Sequence, residues 1–171
     1  VLQRNNIKFK EIDIDPSRKP DFVCDICDMS PIADGSVDVV VCMEVLEHVT
    51  NPVKAISEIH RILKNGGIII GSTPFIFPIH DAPNDFFRYT KFGLAHIFRN
   101  FRHIALRERN DYVHTIYVLI LRLFNTGSMI QKIFMILISP WIIFTSPVVY
   151  LVGLLLKNSN ITTGYFFIYK K

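Results

Sequence analysis

The chain has 171 residues, half of them hydrophobic, with 19 basic and 15 acidic side chains and a net charge of +4. This length is enough for one domain with its own core. The basic residues are scattered and form no run interleaved with aromatic side chains, so the composition argues against nucleic acid as a partner. Three cysteines, an odd number in apolar surroundings, favour reduced thiols in a cytosolic protein. Cys24 and Cys27 have the spacing of a zinc or redox pair, but no second pair completes such a site, so we expect buried thiols and no metal.

The first part of the chain predicts two short strands, each followed by an acidic residue. Ile7 to Ile14 alternates partly between apolar and polar residues, which is typical of a strand, and Asp13 lies near its end. Phe22 to Cys24 predicts a second strand, with Asp25 directly after it. Carboxylates in these positions either bind a ligand or are solvated turn residues.

The middle of the chain predicts one βαβ unit. Val37 to Cys42 is an almost continuous apolar run, which is typical of a strand buried on both faces of a parallel sheet. Apolar residues recur at helical spacing from Val53 to Lys64 and predict an amphipathic helix. Asn65-Gly66-Gly67 is expected to end this helix as its C-cap, and Ile68 to Ile70 predicts the next buried strand. Such units are right-handed and form α/β sheets.

The following stretch predicts a long loop, a helix and a strand. Phe75 to Thr90 is rich in polar and aromatic residues, and ordered loops of this length are usually functional. Thr90 to Asn100 predicts a helix with Thr90 as its cap. His103 to Arg109 predicts a strand, and Gly164 to Tyr169 is a candidate last strand.

An apolar segment separates these last two strands. Tyr112 to Phe124 is mostly apolar, and Ile133 to Leu156 has no charged residue. Because Pro140 and Pro147 interrupt the second run, we expect two or three short helices that enter one leaflet of a membrane as a re-entrant hairpin. Basic residues for contact with lipid headgroups are Arg122, Lys132 and Lys157. The alternatives are an apolar cap over the active site and a dimer interface.

Four stretches together resemble a class I S-adenosylmethionine-dependent methyltransferase of the type 11-like group, over roughly Phe9 to Phe101. The four stretches are Asp25 to Met29, Asp34 to Val40, Glu44 to Val49 and Glu58 to Gly67. The resemblance implies an α/β, Rossmann-like sheet that is closed by an antiparallel pair of strands, His103 to Arg109 and Gly164 to Tyr169, and it implies S-adenosylmethionine as cofactor. The apolar segment would fit a lipid-like methyl acceptor, and a soluble small molecule is the alternative.

The resemblance also assigns a cofactor site to the carboxyl ends of the strands. Asp13 would accept hydrogen bonds from the ribose hydroxyls, since an acceptor-only carboxylate suits two neighbouring donors. The other implied cofactor contacts are Asp25 and Ile26 at the adenine, and Cys42, Met43 and Glu44 at the methionine end.

Two histidines are the candidate catalytic residues near the acceptor. His48 is either a general base or a histidine that braces its loop, and His80 either orients the acceptor or takes its proton. In the same long loop, Asp85, Arg88 and Tyr89 are candidate substrate-binding residues. The alternative is an ion pair of Asp85 with Arg88 that braces a lid.

The family's first strand and glycine-rich loop are missing, because no G-x-G sequence occurs in the chain. We therefore expect a fragment that binds its cofactor weakly or not at all. The expected organisation is a partial methyltransferase domain over residues 1–111, an apolar helical insert over 112–158, and a final strand over 159–171.

Two functions follow from this reading. The first is S-adenosylmethionine-dependent methyl transfer to an unidentified acceptor, at the cytoplasmic side of a membrane. The second is a non-catalytic, membrane-associated α/β module that binds a partner. The sequence leaves the acceptor and the oligomeric state open.

Overall fold

The structure, a computed structural model, describes residues 8–126, 128–156 and 160–171. It contains six strands and four α-helices in these residues. The strands are β1 (Ile12–Asp13), β2 (Phe22–Val23), β3 (Val37–Met43), β4 (Leu63–Pro74), β5 (Arg102–Glu108) and β6 (Gly164–Lys170). The helices are α1 (Pro52–Ile62), α2 (Lys91–Ile97), α3 (Tyr112–Thr126) and α4 (Met129–Leu155).

The main sheet has four strands in the order β3-β4-β6-β5. β3 and β4 are parallel, with α1 between them in the chain, which confirms the predicted βαβ unit. β6 is antiparallel to both β4 and β5, so the final strand returns to the sheet as predicted. β1 and β2 pair with each other in a separate parallel sheet. The α/β fold class is therefore confirmed.

The core lies between α1, α2 and one face of the main sheet. Ile59 of α1 and Ile69 of β4 are completely buried, and each such side chain stabilises the fold by roughly 1.5–3 kcal/mol. Phe98 stacks on Tyr169 of β6 with ring centroids 4.4 Å apart. Thr90 caps α2, as predicted, by accepting a hydrogen bond from the backbone N–H of Gly93.

The predicted glycine C-cap of α1 is wrong. The helix ends at Ile62 and β4 begins at Leu63, so Gly66 and Gly67 lie in the irregular start of a strand. Both glycines are hydrogen-bonded to the backbone of Lys171. The N–H of Gly66 donates to the carbonyl of Lys171 at 3.2 Å, and the N–H of Lys171 donates to the carbonyl of Gly67 at 2.9 Å. Gly66 has φ +83°, which suits glycine. Sheet pairing therefore overrides the local helix-stop signal.

The predicted burial of β3 on both faces is also wrong. Cys42 is buried on one face, but Val39 and Val41 on the other face are 47% and 64% exposed. No element among the described residues covers that face. In this part of the chain β3 is an edge strand, with β4 as its one neighbour. β1 and β3 lie in different sheets.

The apolar segment between β5 and β6 forms two antiparallel helices, α3 and α4, which we call the apolar hairpin. The hydroxyl of Tyr117 on α3 donates to the carbonyl of Ile142 on α4 at 2.7 Å. α4 is continuous over 27 residues although Pro140 and Pro147 lie inside it. The expectation that these prolines divide the segment into shorter helices is therefore wrong.

The two prolines are tolerated because each follows a serine. A proline in a helix leaves the carbonyl four residues earlier without its backbone donor. In α4 the hydroxyls of Ser139 and Ser146 donate to these carbonyls, of Ile136 and Ile143, at 2.8 Å in each case. This substitution by side-chain donors lets a helix continue through proline in an apolar setting.

Candidate active site

Glu44 lies at the carboxyl ends of the parallel strands β3 and β4, where ligands of open α/β sheets bind. Its backbone has φ +51°, and its N–H donates to the carbonyl of Ser72 at 3.0 Å. Its carboxylate accepts a hydrogen bond from the Ser72 hydroxyl at 2.6 Å and a second one from the guanidinium of Arg109. Nothing in the sequence connects Arg109 with Glu44, because the pair forms only when β5 joins the sheet.

The long loop from Phe75 to Thr90 covers the short 3₁₀ turn that follows β3, Leu46–His48. The carbonyl of Glu47 in this turn accepts hydrogen bonds from the backbone N–H groups of Phe86 at 2.8 Å and Phe87 at 3.1 Å. The hydroxyl of Tyr89 donates to the carbonyl of Leu46 at 2.9 Å. These bonds fix the loop against the end of β3, so residues distant in sequence become neighbours.

The two candidate catalytic histidines are brought together by this loop. The rings of His48 and His80 meet edge to face, with centroids 5.0 Å apart. Glu47 lies between them, with its Oε1 atom 3.8 Å from His48 Nε2 and 3.9 Å from His80 Nε2. The sequence points to each histidine separately, but not to Glu47, whose only signal is its position beside His48.

Glu47 is the most unusual titratable group of the site. Its side chain is completely buried, and neither carboxylate oxygen has a hydrogen-bond partner among the described residues. Burial, together with the smaller effect of the nearby charge of Glu44, raises the pKa of Glu47 to about 7. A buried carboxylate without partners is costly, and such groups mark candidate functional sites.

Asp85 and Arg88 form an ion pair inside the long loop. The guanidinium of Arg88 binds both carboxylate oxygens of Asp85, at 2.5 and 2.6 Å, and also the carbonyls of Phe87 and Pro78. Arg88 holds the pKa of Asp85 well below its ordinary range. This geometry is that of a loop brace, and the substrate-binding role of Asp85, Arg88 and Tyr89 stays a prediction.

A cavity of about 190 Å³ opens beside this ion pair. It is lined by Phe77, Ile79, Asp85, Phe86, Phe87 and Arg88. Its aromatic walls and one charged pair are typical of a small-molecule site, though its volume is below the usual range for drug-sized ligands.

The predicted nucleoside contacts lie at one edge of the small parallel sheet, because Asp13 ends β1 and Asp25 comes shortly after β2. The carboxylate of Asp13 accepts hydrogen bonds from Asp15 N–H at 2.9 Å and from Arg18 at 3.1 Å. The carboxylate of Asp25 accepts one from Cys27 N–H at 2.7 Å. A carboxylate offers about four acceptor positions, so both groups keep capacity for a ligand.

The remaining predicted cofactor contacts differ in their exposure. Ile26 packs against the core, and Met43 is partly exposed at the end of β3. Cys42 is buried, and burial raises the pKa of its thiol to about 12, so it is protonated at neutral pH. Their roles at a cofactor remain predictions.

Comparison with known proteins relates this arrangement to one family. A sequence model of the family described as "Methyltransferase domain" matches residues 3–71. The matched segment includes Asp13, Asp25, Glu44, Glu47 and His48, and it ends before the long loop and the apolar hairpin. A solved structure of an S-adenosylmethionine-dependent methyltransferase from Archaeoglobus fulgidus superposes with a TM-score of 0.61, at 15% identity over 99% of this chain and 79% of that one.

Residues 3–71 of this chain therefore resemble a class I methyltransferase domain. Human thiol S-methyltransferase TMT1B is 50% identical over 42 residues, which are 25% of this chain and 17% of that protein. A probable S-adenosylmethionine-dependent methyltransferase of Mycolicibacterium smegmatis is 46% identical over 44 residues, which are 26% of this chain and 17% of that protein. The matches thus span a small part of these relatives.

The methyltransferase domain shares its fold with enzymes of more than one activity. The [4+2]-cyclase SpnF superposes with a TM-score of 0.51 at 15% identity, over 88% of this chain and 55% of that one. At such identities the likeness shows the fold alone, so the reaction must be argued from the site.

Proposed function

We propose that the protein transfers a methyl group from S-adenosylmethionine to a lipid-like acceptor, and that the apolar hairpin holds it at the cytoplasmic face of a membrane. The observation that carries methyl transfer is the family match, which includes the acidic residues at the ends of three strands, Asp13, Asp25 and Glu44. These residues fit the cofactor, because carboxylates suit ribose hydroxyls and an adenine amino group.

S-adenosylmethionine supplies an electrophilic methyl group on a sulfonium, which an acceptor O, N or C atom displaces in one step. The chain contributes orientation and exclusion of water, which the long loop over the end of β3 provides. His48 Nδ1 lies 2.7 Å from the carbonyl oxygen of Asn84, which only accepts, so Nδ1 carries the proton. His48 Nε2 is then free to take a proton from the acceptor.

Cofactor binding tests the first part of the proposal. S-adenosylmethionine and its demethylated product are titrated calorimetrically into the protein, expressed from its complete open reading frame, in mild detergent. We expect Asp13→Asn to weaken binding at least about tenfold, which corresponds to about 1.4 kcal/mol.

Asp21→Asn is the matched control for this titration. Asp21 lies at the opposite end of the same small sheet, where Lys10 and the N–H of Glu11 donate to its carboxylate. We expect unchanged binding in this variant. Equal affinity of the Asp13 variant and the unsubstituted protein would contradict the assignment of Asp13, and no binding by the unsubstituted protein would contradict methyl transfer.

The membrane part rests on the apolar hairpin. Among the described residues, α4 is the one helix long and apolar enough to cross a membrane, and only Met135 and Gly153 of this helix are buried. Its 27 residues measure about 40 Å, more than the bilayer core of about 30 Å, whereas the 15 residues of α3 measure only about 22 Å. Because both helices join adjacent strands of one sheet, a re-entrant position fits better than a single crossing.

The proposed acceptor class follows from where the apolar hairpin meets the site. The guanidinium of Arg122 on α3 lies over the ring of Phe77, 4.6 Å from its centroid. The ring of Phe77 in turn meets the ring of His80, with centroids 5.6 Å apart. An acceptor anchored in the bilayer by an apolar tail would therefore present its head group near His80.

The hairpin also offers a place for such a tail. An apolar groove of about 180 Å³ runs between α3 and α4. It is lined by Val113, Ile116, Tyr117, Ile120 and Val149. An acyl or isoprenoid chain matches this lining in polarity.

Vesicle flotation tests the membrane part. Phe144 on α4 and Phe92 on α2 are equally exposed, at 77% and 75%, but only Phe144 belongs to the apolar hairpin. We expect Phe144→Glu to reduce binding to anionic vesicles strongly and Phe92→Glu to leave it unchanged. Equal binding of both variants would contradict the proposal.

The acceptor is tested separately with methyl-labelled S-adenosylmethionine and vesicles made from extracted membrane lipids. We expect label in the organic phase. Label only in water-soluble products would contradict a lipid-like acceptor. Vesicle binding without cofactor binding would favour the second function, a non-catalytic membrane-associated module, and a stable dimer without vesicle binding would favour an interface role for the hairpin.

A further inference from the structure

Three potential metal ligands converge under the long loop. They are one carboxylate oxygen of Glu47 and one ring nitrogen each of His48 and His80, and all three atoms lie within 4.8 Å of one another. Two donors bound to the same ion at about 2.1 Å are about 3.0–3.4 Å apart at tetrahedral or octahedral angles. The observed separations of 3.8 and 3.9 Å from Glu47 Oε1 need only small side-chain rotations to reach that range.

Glu47 supplies the independent observation that points to a cation. Its side chain is completely buried, and no donor among the described residues reaches either of its oxygens. The two imidazoles next to it are beyond hydrogen-bond distance, so the three side chains are not explained as a hydrogen-bonded network. Buried charges are normally paired or coordinate metals.

The two histidines are oriented as ligands are. The proton on His48 Nδ1 is fixed by the carbonyl of Asn84 at 2.7 Å, which leaves the Nε2 lone pair directed towards Glu47. His80 Nδ1 lies 3.4 Å from the Asp85 carboxylate without a hydrogen bond to it, and this carboxylate accepts a hydrogen bond from the backbone N–H of His80 at 2.9 Å. An outer carbonyl or carboxylate behind each imidazole is the usual arrangement around metal-binding histidines.

We propose that Glu47, His48 and His80 bind a divalent first-row transition-metal cation. Two imidazoles and one carboxylate suit Mn²⁺, Fe²⁺, Co²⁺ or Zn²⁺ better than Mg²⁺ or Ca²⁺, which prefer oxygen ligands. Three protein ligands leave coordination positions open. Asp81, whose exposed carboxylate lies 4.0 Å from His48 Nε2, is the nearest further donor from the loop.

The site can be reached from solvent, because both histidines are partly exposed, at 23% and 29% of their side chains. It lies beyond the end of β3, at the same edge as Glu44. With the cation bound, His48 Nε2 would be a ligand and not a general base, and an acceptor hydroxyl bound to the cation would lose its proton more readily. This last role rests on the proposed methyl transfer, whereas metal binding itself does not.

Cobalt titration tests the proposal without S-adenosylmethionine. The full chain is purified without a histidine tag, treated with EDTA and titrated with Co²⁺ in mild detergent while the visible absorption is recorded. We expect saturation at about one equivalent with micromolar affinity. His80→Ala and Glu47→Gln are each expected to weaken binding at least about tenfold.

The matched control is His114→Ala. His114 is also an imidazole beside a carboxylate, 2.8 Å from Asp111, but it lies at the base of the apolar hairpin. We expect unchanged Co²⁺ binding in this variant. No saturable binding by the folded chain, or the same loss in the His114 variant as in the His80 variant, would overturn the proposal.

A measurement on the unsubstituted chain covers the case in which the variants do not fold. Zinc K-edge X-ray absorption of the Zn²⁺-loaded protein should show two imidazole nitrogens and a carboxylate oxygen at about 2.0–2.2 Å. A spectrum without imidazole scattering would overturn the proposal. Methyl transfer that persists in a metal-free chain would contradict a role of the cation at the acceptor, but it would not contradict metal binding itself.

Discussion

Replacing Glu47 by glutamine should change how the stability of the metal-free protein depends on pH. Glu47 is completely buried and has no hydrogen-bond partner among the described residues. Burial, reinforced by the charge of Glu44, raises its pKa from the ordinary 4.5 to about 7, against the opposing charges of His48 and Arg88. His80 faces the same carboxylate at 3.9 Å.

The sign and size of the effect follow from this pKa. Between pH 4.5 and 7 the unfolded chain has lost the Glu47 proton while the folded chain keeps it, so the free energy of unfolding falls as pH rises. At 1.36 kcal/mol for each pH unit, the loss reaches about 3 kcal/mol above pH 7. The loss is absent below pH 4.5, where both states are protonated.

The assay is denaturant unfolding in EDTA and mild detergent, from pH 4 to pH 8. The unsubstituted protein and Glu47→Gln are compared under identical conditions. The difference between the two curves should grow by about 3 kcal/mol in favour of the glutamine variant as pH rises. Glu11→Gln, at an exposed position, should run parallel to the unsubstituted protein. Parallel curves for Glu47→Gln as well would refute the reasoning.

Three further changes test the packing of the helices. Replacing Ser139 and Ser146 together by alanine should lower the helicity of α4 in vesicles, because each lost hydrogen bond removes about 0.5–1.5 kcal/mol of helix stability. Thr145→Val should not do so, because the carbonyl that Thr145 contacts keeps its backbone donor; equal circular dichroism spectra of both variants would contradict this account. Gly153→Ala should lower the melting temperature, since a methyl group there would lie 2.4 Å from an imidazole carbon of His114 on α3. Gly93→Ala, whose new methyl group meets nothing closer than 3.5 Å, should raise stability by about 0.5–1 kcal/mol, and equal signs for the two glycine variants would be inconsistent with the packing described.

Much of the fold follows from local sequence patterns. The apolar run from Val37 and the helical spacing from Val53 predict β3 and α1 almost to the residue. The final strand, Gly164 to Tyr169, is predicted because the resemblance implies an antiparallel pair of strands that closes the sheet. The end of α1 is not predicted, since the glycine pair is recruited by sheet pairing with Lys171, which is distant in the chain.

The continuity of α4 shows a different limit of sequence reasoning. Proline is a strong helix breaker on average, and only the position of a hydroxyl one residue earlier reverses the expectation. The Ser-Pro pairs are visible in the sequence, at Ser139-Pro140 and Ser146-Pro147, but their meaning depends on the carbonyls that the hydroxyls reach.

The candidate site is predicted in its parts but not as a whole. His48 and His80 are each singled out by the resemblance, yet nothing in the sequence places them side by side. Their contact depends on the loop that is fastened to the backbone of Glu47, and such fastening has no sequence signature. Spacing along the chain therefore predicts no metal, since Cys24 and Cys27 have no second pair close to them in the sequence.

The way in which the apolar hairpin joins the sheet makes it a separable module. It leaves after β5 and returns at β6, two adjacent antiparallel strands, and the N–H of Arg109 donates to the carbonyl of Gly164 at 2.8 Å across this junction. A two-residue turn is enough to connect antiparallel neighbours. A single deletion in the gene can thus remove the hairpin while the strand register is kept, and a single insertion can restore it. In a lineage of related proteins, the apolar hairpin can therefore be gained or lost in one genetic event, at the same edge of the sheet as Glu44.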